Sequence, residues 1–185
     1  MKNKSIILLL AFLPSLGTVC AAQTAQITGV ITNPFGDPVT DVLVNLIAAD
    51  NSQQTITTDE TGNYTFMANV GETYTIACSR EDAPLNGVST FDLVLGLQHI
   101  LHTQSITNPY LRIAADVNNS GTISVADLWK MRQLILGMDT TWDIPTWQFV
   151  SEQLEDTAPI QIELRENQII DFVGVKTGDL NGNSY

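Results

Sequence analysis

Apolar and polar residues alternate through the first part of the chain, and the period then changes. Ile27 to Thr32 reads as a strand, followed by a dense run of turn formers, Asn33-Pro34-Phe35-Gly36-Asp37-Pro38. Val42, Val44 and Leu46 alternate with more polar neighbours, which points them to one face of a sheet. The polar stretch Asp50 to Gln54 and the segment Thr58-Asp59-Glu60-Thr61-Gly62-Asn63 are further turns. Tyr64 and Phe66 are two apart and share a face, and Thr73 to Cys78 forms another strand. Short strands at such close spacing predict an antiparallel β-sandwich.

From Val88 to Met138 the apolar period is helical. One helix covers Asp92 to Leu101; a second covers Asp127 to Leu136 and is stopped by Gly137. Each opens with Ser-x-x-Asp (Ser89 with Asp92, Ser124 with Asp127), close to a capping box with a carboxylate at the positive helix end. The two form a repeat: a shift from residue 92 to residue 127 carries Ser89 onto Ser124, Leu93 onto Leu128, Gln98 onto Gln133 and Leu101 onto Leu136. After Trp147-Gln148-Phe149-Val150 comes an acidic loop, then strands at Ile160 to Leu164 and Ile169 to Val175. The fold class expected is mainly β plus α. A leader spans residues 1–22, a sandwich 23–80, and a two-helix module with extra C-terminal strands 81–185.

The leader follows from Lys2 and Lys4, an apolar run to Leu13, the breakers Pro14 and Gly17, and small residues around Cys20. That is the pattern of a secretory signal peptide, which predicts a secreted, periplasmic or cell-surface protein. Lipid attachment at Cys20 is the rival reading. No other stretch is long and apolar enough to span a bilayer. The chain has 8 basic and 20 acidic residues, and loss of the leader's two lysines leaves a net charge of about −14. Such a chain repels nucleic acid and suits divalent cations. Cys78 then stands alone, which excludes a disulfide framework or a thiolate cluster.

The strongest chemical motif runs from Asp116 to Asp127. Asp116, Asn118 and Ser120 occupy positions 1, 3 and 5 of a twelve-residue calcium loop, and Gly121 at position 6 permits the sharp turn. Thr122 offers its carbonyl at position 7, Ser124 a hydroxyl at position 9, and Asp127 closes the loop at position 12. Calcium needs six or more hard oxygens at flexible distances, and this spacing supplies them. The equivalent loop before Asp92 is broken: Glu81, Ala83 and Leu85 fall at positions 1, 3 and 5. The C-terminal Gly178-Asp179-Leu180-Asn181-Gly182-Asn183, in turn, reads as the opening half of such a loop. We therefore expect a split site in which Asp179, Asn181 and Asn183 join Asp92.

Two resemblances follow from these residues. Gly29-Val30-Ile31, Gly36-Asp37-Pro38-Val39, Asp41 to Leu46 and Thr58 to Phe66 resemble the carboxypeptidase regulatory-like domain, a transthyretin-like sandwich that serves mainly as an accessory unit. The repeat, with Leu85 to Leu93, Ala114 to Asn118 and Asp171 to Asp179, is similar to the type I dockerin fold, as in secreted proteins of the Bacteroidetes lineage. That resemblance implies a cohesin-like protein partner. It places partner-reading positions at Thr90, Phe91, Leu97 and Gln98 in one repeat, and at Val125, Ala126, Arg132 and Gln133 in the other. The long linker between the helices and the broken first loop depart from the dockerin pattern.

No phosphate loop, nucleophile elbow or zinc-protease motif is present, so no enzymatic activity is expected. His99 and His102 lie three apart without a third ligand in spacing. The function expected is a secreted, calcium-binding interaction or assembly module, linked to polysaccharide breakdown or surface adhesion. The alternative is a carbohydrate-binding accessory domain, for which Trp129, Trp142 and Trp147 are candidate platforms if they do not serve packing.

Overall fold

A computed structural model describes residues 23–153 and 156–184; the expected leader, with Cys20, lies outside them. Five strands come first: β1 Thr24–Thr32, β2 Leu43–Ala48, β3 Gln53–Thr57, β4 Asn63–Asn69 and β5 Thr73–Ser79. Three helices follow, α1 Thr90–Ile100, α2 Pro109–Ala115 and α3 Val125–Ile135. The chain then returns to strands: β6 Trp147–Ser151, β7 Asp156–Thr157, β8 Ile160–Glu163, β9 Gln168–Ile169 and β10 Phe172–Lys176.

The strands make two sheets, ordered β4-β1-β10-β6-β7, with β9 also on β1, and β3-β2-β5-β8. Alternation drives them together. Ile27 and Ile31 of β1, Tyr64 and Phe66 of β4, and Val44 and Leu46 of β2 are all at most 2% exposed, and they meet in one core. The turns have local causes. Asn33 Oδ1 accepts the backbone N–H of both Phe35 and Asp37 at 2.9 Å. Asp59 Oδ1 likewise gathers the N–H of Thr61 and Asn63 at 2.9 and 3.0 Å, leaving Gly62 to take the positive φ that the turn requires.

The expected antiparallel sandwich is corrected to a mixed one. β10 lies parallel to β1, with Ile31 opposite Phe172, and β9 is also parallel to β1. The helical excursion is the long crossover that parallel pairing needs. The C-terminal strands expected to extend the helical module instead complete both sheets, because β8 pairs antiparallel with β5. Phe149, Ile160, Ile162, Leu164 and Phe172 thus share a core with β1–β5. The division at residue 80 is a division of the sequence and not of this core. Asp171 ties the junction, its Oδ1 accepting Val30 N–H at 2.8 Å, and Gly29 is required because a Cβ there would strike the Ile170 carbonyl.

The helices stand outside the sandwich, and α2 packs on the outer face of β6 and β10. Ala114 and Ala115 of α2 pack with Val150, Val173, Val175 and Leu180. Val88, Val117, Met131, Leu134 and Trp142 form a third cluster. Gly96 lets α1 approach α3, since a Cβ would come within 2.6 Å of Leu128. Both repeat helices begin two residues earlier than the hydrophobic period indicates, because Ser89 and Ser124 are the N-caps and Asp92 and Asp127 close full capping boxes at N3. Helix α2 was not expected. Its signal is Asn108-Pro109, an N-cap whose side chain accepts from Tyr110 N–H with Pro at the first helical turn.

Candidate metal centre

The segment from Asp116 to Asp127 closes on itself between α2 and α3. Asp116 is the C-cap of α2. Its Oδ1 accepts Ser120 N–H at 2.9 Å and its Oδ2 accepts Gly121 N–H at 2.6 Å, while Asn119 and Gly121 take positive φ to make the bend. At the far end Asp127, wholly buried, accepts Ser124 N–H at 2.8 Å and Asn118 N–H at 3.3 Å. Ser120 Oγ donates to the Thr122 carbonyl at 3.1 Å. The structure therefore brings Asp116, Asn118, Ser120, Thr122, Ser124 and Asp127 into one small loop.

Turn and cap geometry account for both carboxylates, but one atom remains. Asn118 Oδ1 is buried and has no hydrogen-bond partner. A buried carbonyl oxygen without a donor costs about 1–3 kcal/mol, and no ion pair involves Asp116 or Asp127 among the described residues. Two carboxylates, an unsatisfied amide oxygen and a backbone carbonyl are a hard-oxygen donor set that fits a divalent cation of the calcium type.

The C-terminal segment docks on the start of α1. Asp92, wholly buried, accepts Leu180 N–H at 2.8 Å and the Asn181 amide at 3.0 Å. Asp179, 3% exposed, accepts Gly182 N–H at 2.8 Å and Ser184 N–H at 3.1 Å. The bond from residue 184 to 179 repeats the spacing of the bond from 121 to 116. Gly87 is needed because a side chain there would run into Ser184, and the Asn86 amide donates to the Ser184 carbonyl at 3.2 Å. Burial raises the Asp92 carboxyl above its ordinary value, against the hydrogen bonds from Leu180 and Ser89, with the Asp179 charge adding to the rise. Asp92, Asp179 and Asn181 are thus brought together; Asn183 is exposed and outside this hydrogen-bond network.

The broken loop before α1 has other work. Asp82 meets Lys176 at 3.4 Å, and the fully buried Lys176 ammonium donates to the Ala83 carbonyl at 2.8 Å. Burial lowers the Lys176 pKa, opposed by Asp82. Of the residues assigned to partner reading, Thr90, Phe91, Leu97, Val125, Ala126 and Arg132 are exposed, and Gln98 and Gln133 are half-buried. The repeat also exposes Val94 and Leu101 on α1 and their counterparts Trp129 and Leu136 on α3, a stripe visible in the helical period. Trp142 and Trp147 are buried and Trp129 is 54% exposed. His99 Nδ1 accepts Ile106 N–H at 3.0 Å, and His102 is exposed. Among the described residues no cluster of three His, Cys, Asp or Glu side chains stands at metal-binding distance. Any cation site here therefore adds amide, hydroxyl and backbone oxygens to at most two carboxylates.

Comparison with known proteins places the N-terminal part. The carboxypeptidase regulatory-like domain family matches residues 26–97, from the third residue of β1 through β5 and the first two turns of α1. No dockerin family matches, and no curated protein matches the chain. Two solved structures share a partial likeness. One is the dioxygenase domain of a dioxygenase carbohydrate-binding protein fusion from the cellulolytic bacterium Streptomyces sp. SirexAA-E, at 14% identity and a TM-score of 0.30 over 35% of this chain and 53% of that one. The other is a C-terminal fragment of the pilus adhesin SpaC from Lactobacillus rhamnosus GG, at 15% identity and a TM-score of 0.30 over 34% and 25%. The chain thus spans about half of the first and a quarter of the second. Among the described residues no helix is long and apolar enough to cross a membrane.

Proposed function

We propose that the protein is an exported, non-catalytic calcium-binding interaction module, in which the ion orders the helical unit against the sandwich. The residues that would hold it are Asp116, Asn118, Ser120, Thr122, Ser124 and Asp127. The buried, partnerless Asn118 Oδ1 carries this reading, because capping and turn bonds explain its neighbours and leave it alone. Bound calcium neutralises the two carboxylates, and its binding free energy adds to the stability of the helical unit. Asp92, Asp179 and Asn181 are a second, split position for the same chemistry, supported by the matching bonds to Asp116 and Asp179. The exposed stripes of α1 and α3 are the face offered to a protein partner of cohesin-like or surface-assembly type.

Calorimetric titration of calcium into metal-stripped protein tests the ion. Heat with a stoichiometry of one that vanishes in Asn118→Ala and Asp116→Ala supports the loop, and a stoichiometry of two that falls to one in Asp179→Ala adds the split site. Absence of heat, with an unchanged melting temperature in EGTA, removes the reading.

A further inference from the structure

Two adjoining cavities sit beside the Asp116 loop and share Gln148 of β6 and Thr157 of β7. The first, about 290 Å³, is bounded by Arg112, Asp116 and Asn119. The second, about 450 Å³, is bounded by Arg80 and Trp147. Together they form a groove with a guanidinium on either side of the Gln148–Thr157 divide. Among the described cations, Lys130 pairs with Asp143, Arg165 with Glu163 and Lys176 with Asp82, while Arg132 lies over the Trp129 ring. Arg80 and Arg112 have no carboxylate at ion-pairing distance among the described residues. Arg80 is instead held over Trp147, 4.6 Å from the ring centroid. In a chain with 20 acidic and 8 basic residues, two guanidinia on one groove with no ion-pair partner among the described residues stand ready for an external anion.

We propose that this groove binds an acidic glycan, a chain of uronic acids whose carboxylates meet Arg80 and Arg112. The guanidinium fork matches a carboxylate in two parallel hydrogen bonds. The amides of Gln148 and Asn119 and the hydroxyl of Thr157 supply donors and acceptors suited to sugar hydroxyls. Trp147 is buried and positions Arg80; it is no stacking platform. Glu81 and Asp82 also line the second cavity; Asp82 is paired with Lys176, and Glu81 opposes a carboxylate there. At the Arg112 end the inference rests on the calcium reading, because Asp116 repels the ligand unless an ion compensates its charge.

The test is calorimetry of trigalacturonate and of its neutral methyl ester into the full chain, with free calcium held constant. The acid should bind and the ester should not. Arg80→Gln and Arg112→Gln should each weaken binding about tenfold, the loss of one charge-assisted contact, and Glu81→Gln should tighten it. Circular dichroism and the calcium heat of each variant establish that it is folded. Equal binding of the ester, undiminished affinity in both folded arginine variants, absence of any uronate binding, or equal binding of triglutamate overturns the assignment. Uronate binding that persists in EGTA and still falls in both arginine variants keeps the groove and removes only the role of the ion. Calcium heat without uronate binding does the reverse.

Discussion

The two helix starts of the repeat solve one problem in opposite ways. At α3 the oxygens come from the twelve residues that lead into the helix, and the loop is largely open to solvent. At α1 the oxygens come from the far end of the chain, and both aspartates are buried. The capping boxes are the same, so the helices need the same start. What differs is whether the loop holds only itself or also holds two distant segments together. The first arrangement is closed by local bonds alone, whereas the second is part of the fold.

Substitutions should expose that difference in the absence of metal. Asp92→Ala strands Ser89 N–H, Leu180 N–H and the Asn181 amide, and should cost about 3 kcal/mol in urea unfolding. Asp127→Ala is also a buried change, but it releases only Ser124 and Asn118 N–H of its own loop and should cost about 1–2 kcal/mol. Equal costs would break the contrast. With calcium at a hundredfold excess over its Kd, one site should add about 2.7 kcal/mol of stability. Asp116→Ala should abolish the share from the open loop, read as the calcium-dependent rise in melting temperature.

Acid offers a smaller lever on the buried side. At Asp82 burial acts to raise the carboxyl, but the Asn86 amide and the Lys176 ammonium outweigh it and hold the group below its ordinary value of 3.8. A depressed carboxyl stabilises the fold above its unfolded pKa and loses that contribution as pH falls through the folded value. The melting temperatures of the wild type and Asp82→Asn should therefore differ at neutral pH and converge below pH 3.8; a constant gap would count against the latch. The smallest effect is at Cys78. Burial pushes its thiol up to about 12, so alkylation at pH 8 should be slow in the native protein. Fast alkylation in Asp92→Ala would show that loss of the buried clasp also opens the sandwich.

Local signals carried much of this from sequence to structure. Alternation at Val42, Val44 and Leu46 and the Ser-x-x-Asp pairs at 89–92 and 124–127 are properties of single segments, and they appear where the pattern puts them. The twelve-residue spacing is also local, which is why the open loop could be read residue by residue. The sheet partners of β5 and β1 could not. That β8 joins β5 and β10 runs parallel to β1 depends on which strand edges meet across long stretches of sequence, and no periodicity records it. Arg80 and Arg112 escaped for the same reason: they come to neighbouring cavities only once Gln148 of β6 and Thr157 of β7 stand between them.

Strand β1 must wait for its inner neighbour. Val30 donates its N–H to the carboxylate of Asp171, 141 positions later, so during biosynthesis the first five strands leave the ribosome long before the segment that covers them. Until then the edges of β1 and β5 are open templates for any passing strand. A polypeptide built this way gains from staying open until its last strands are made, so that both halves are present before either sheet sets.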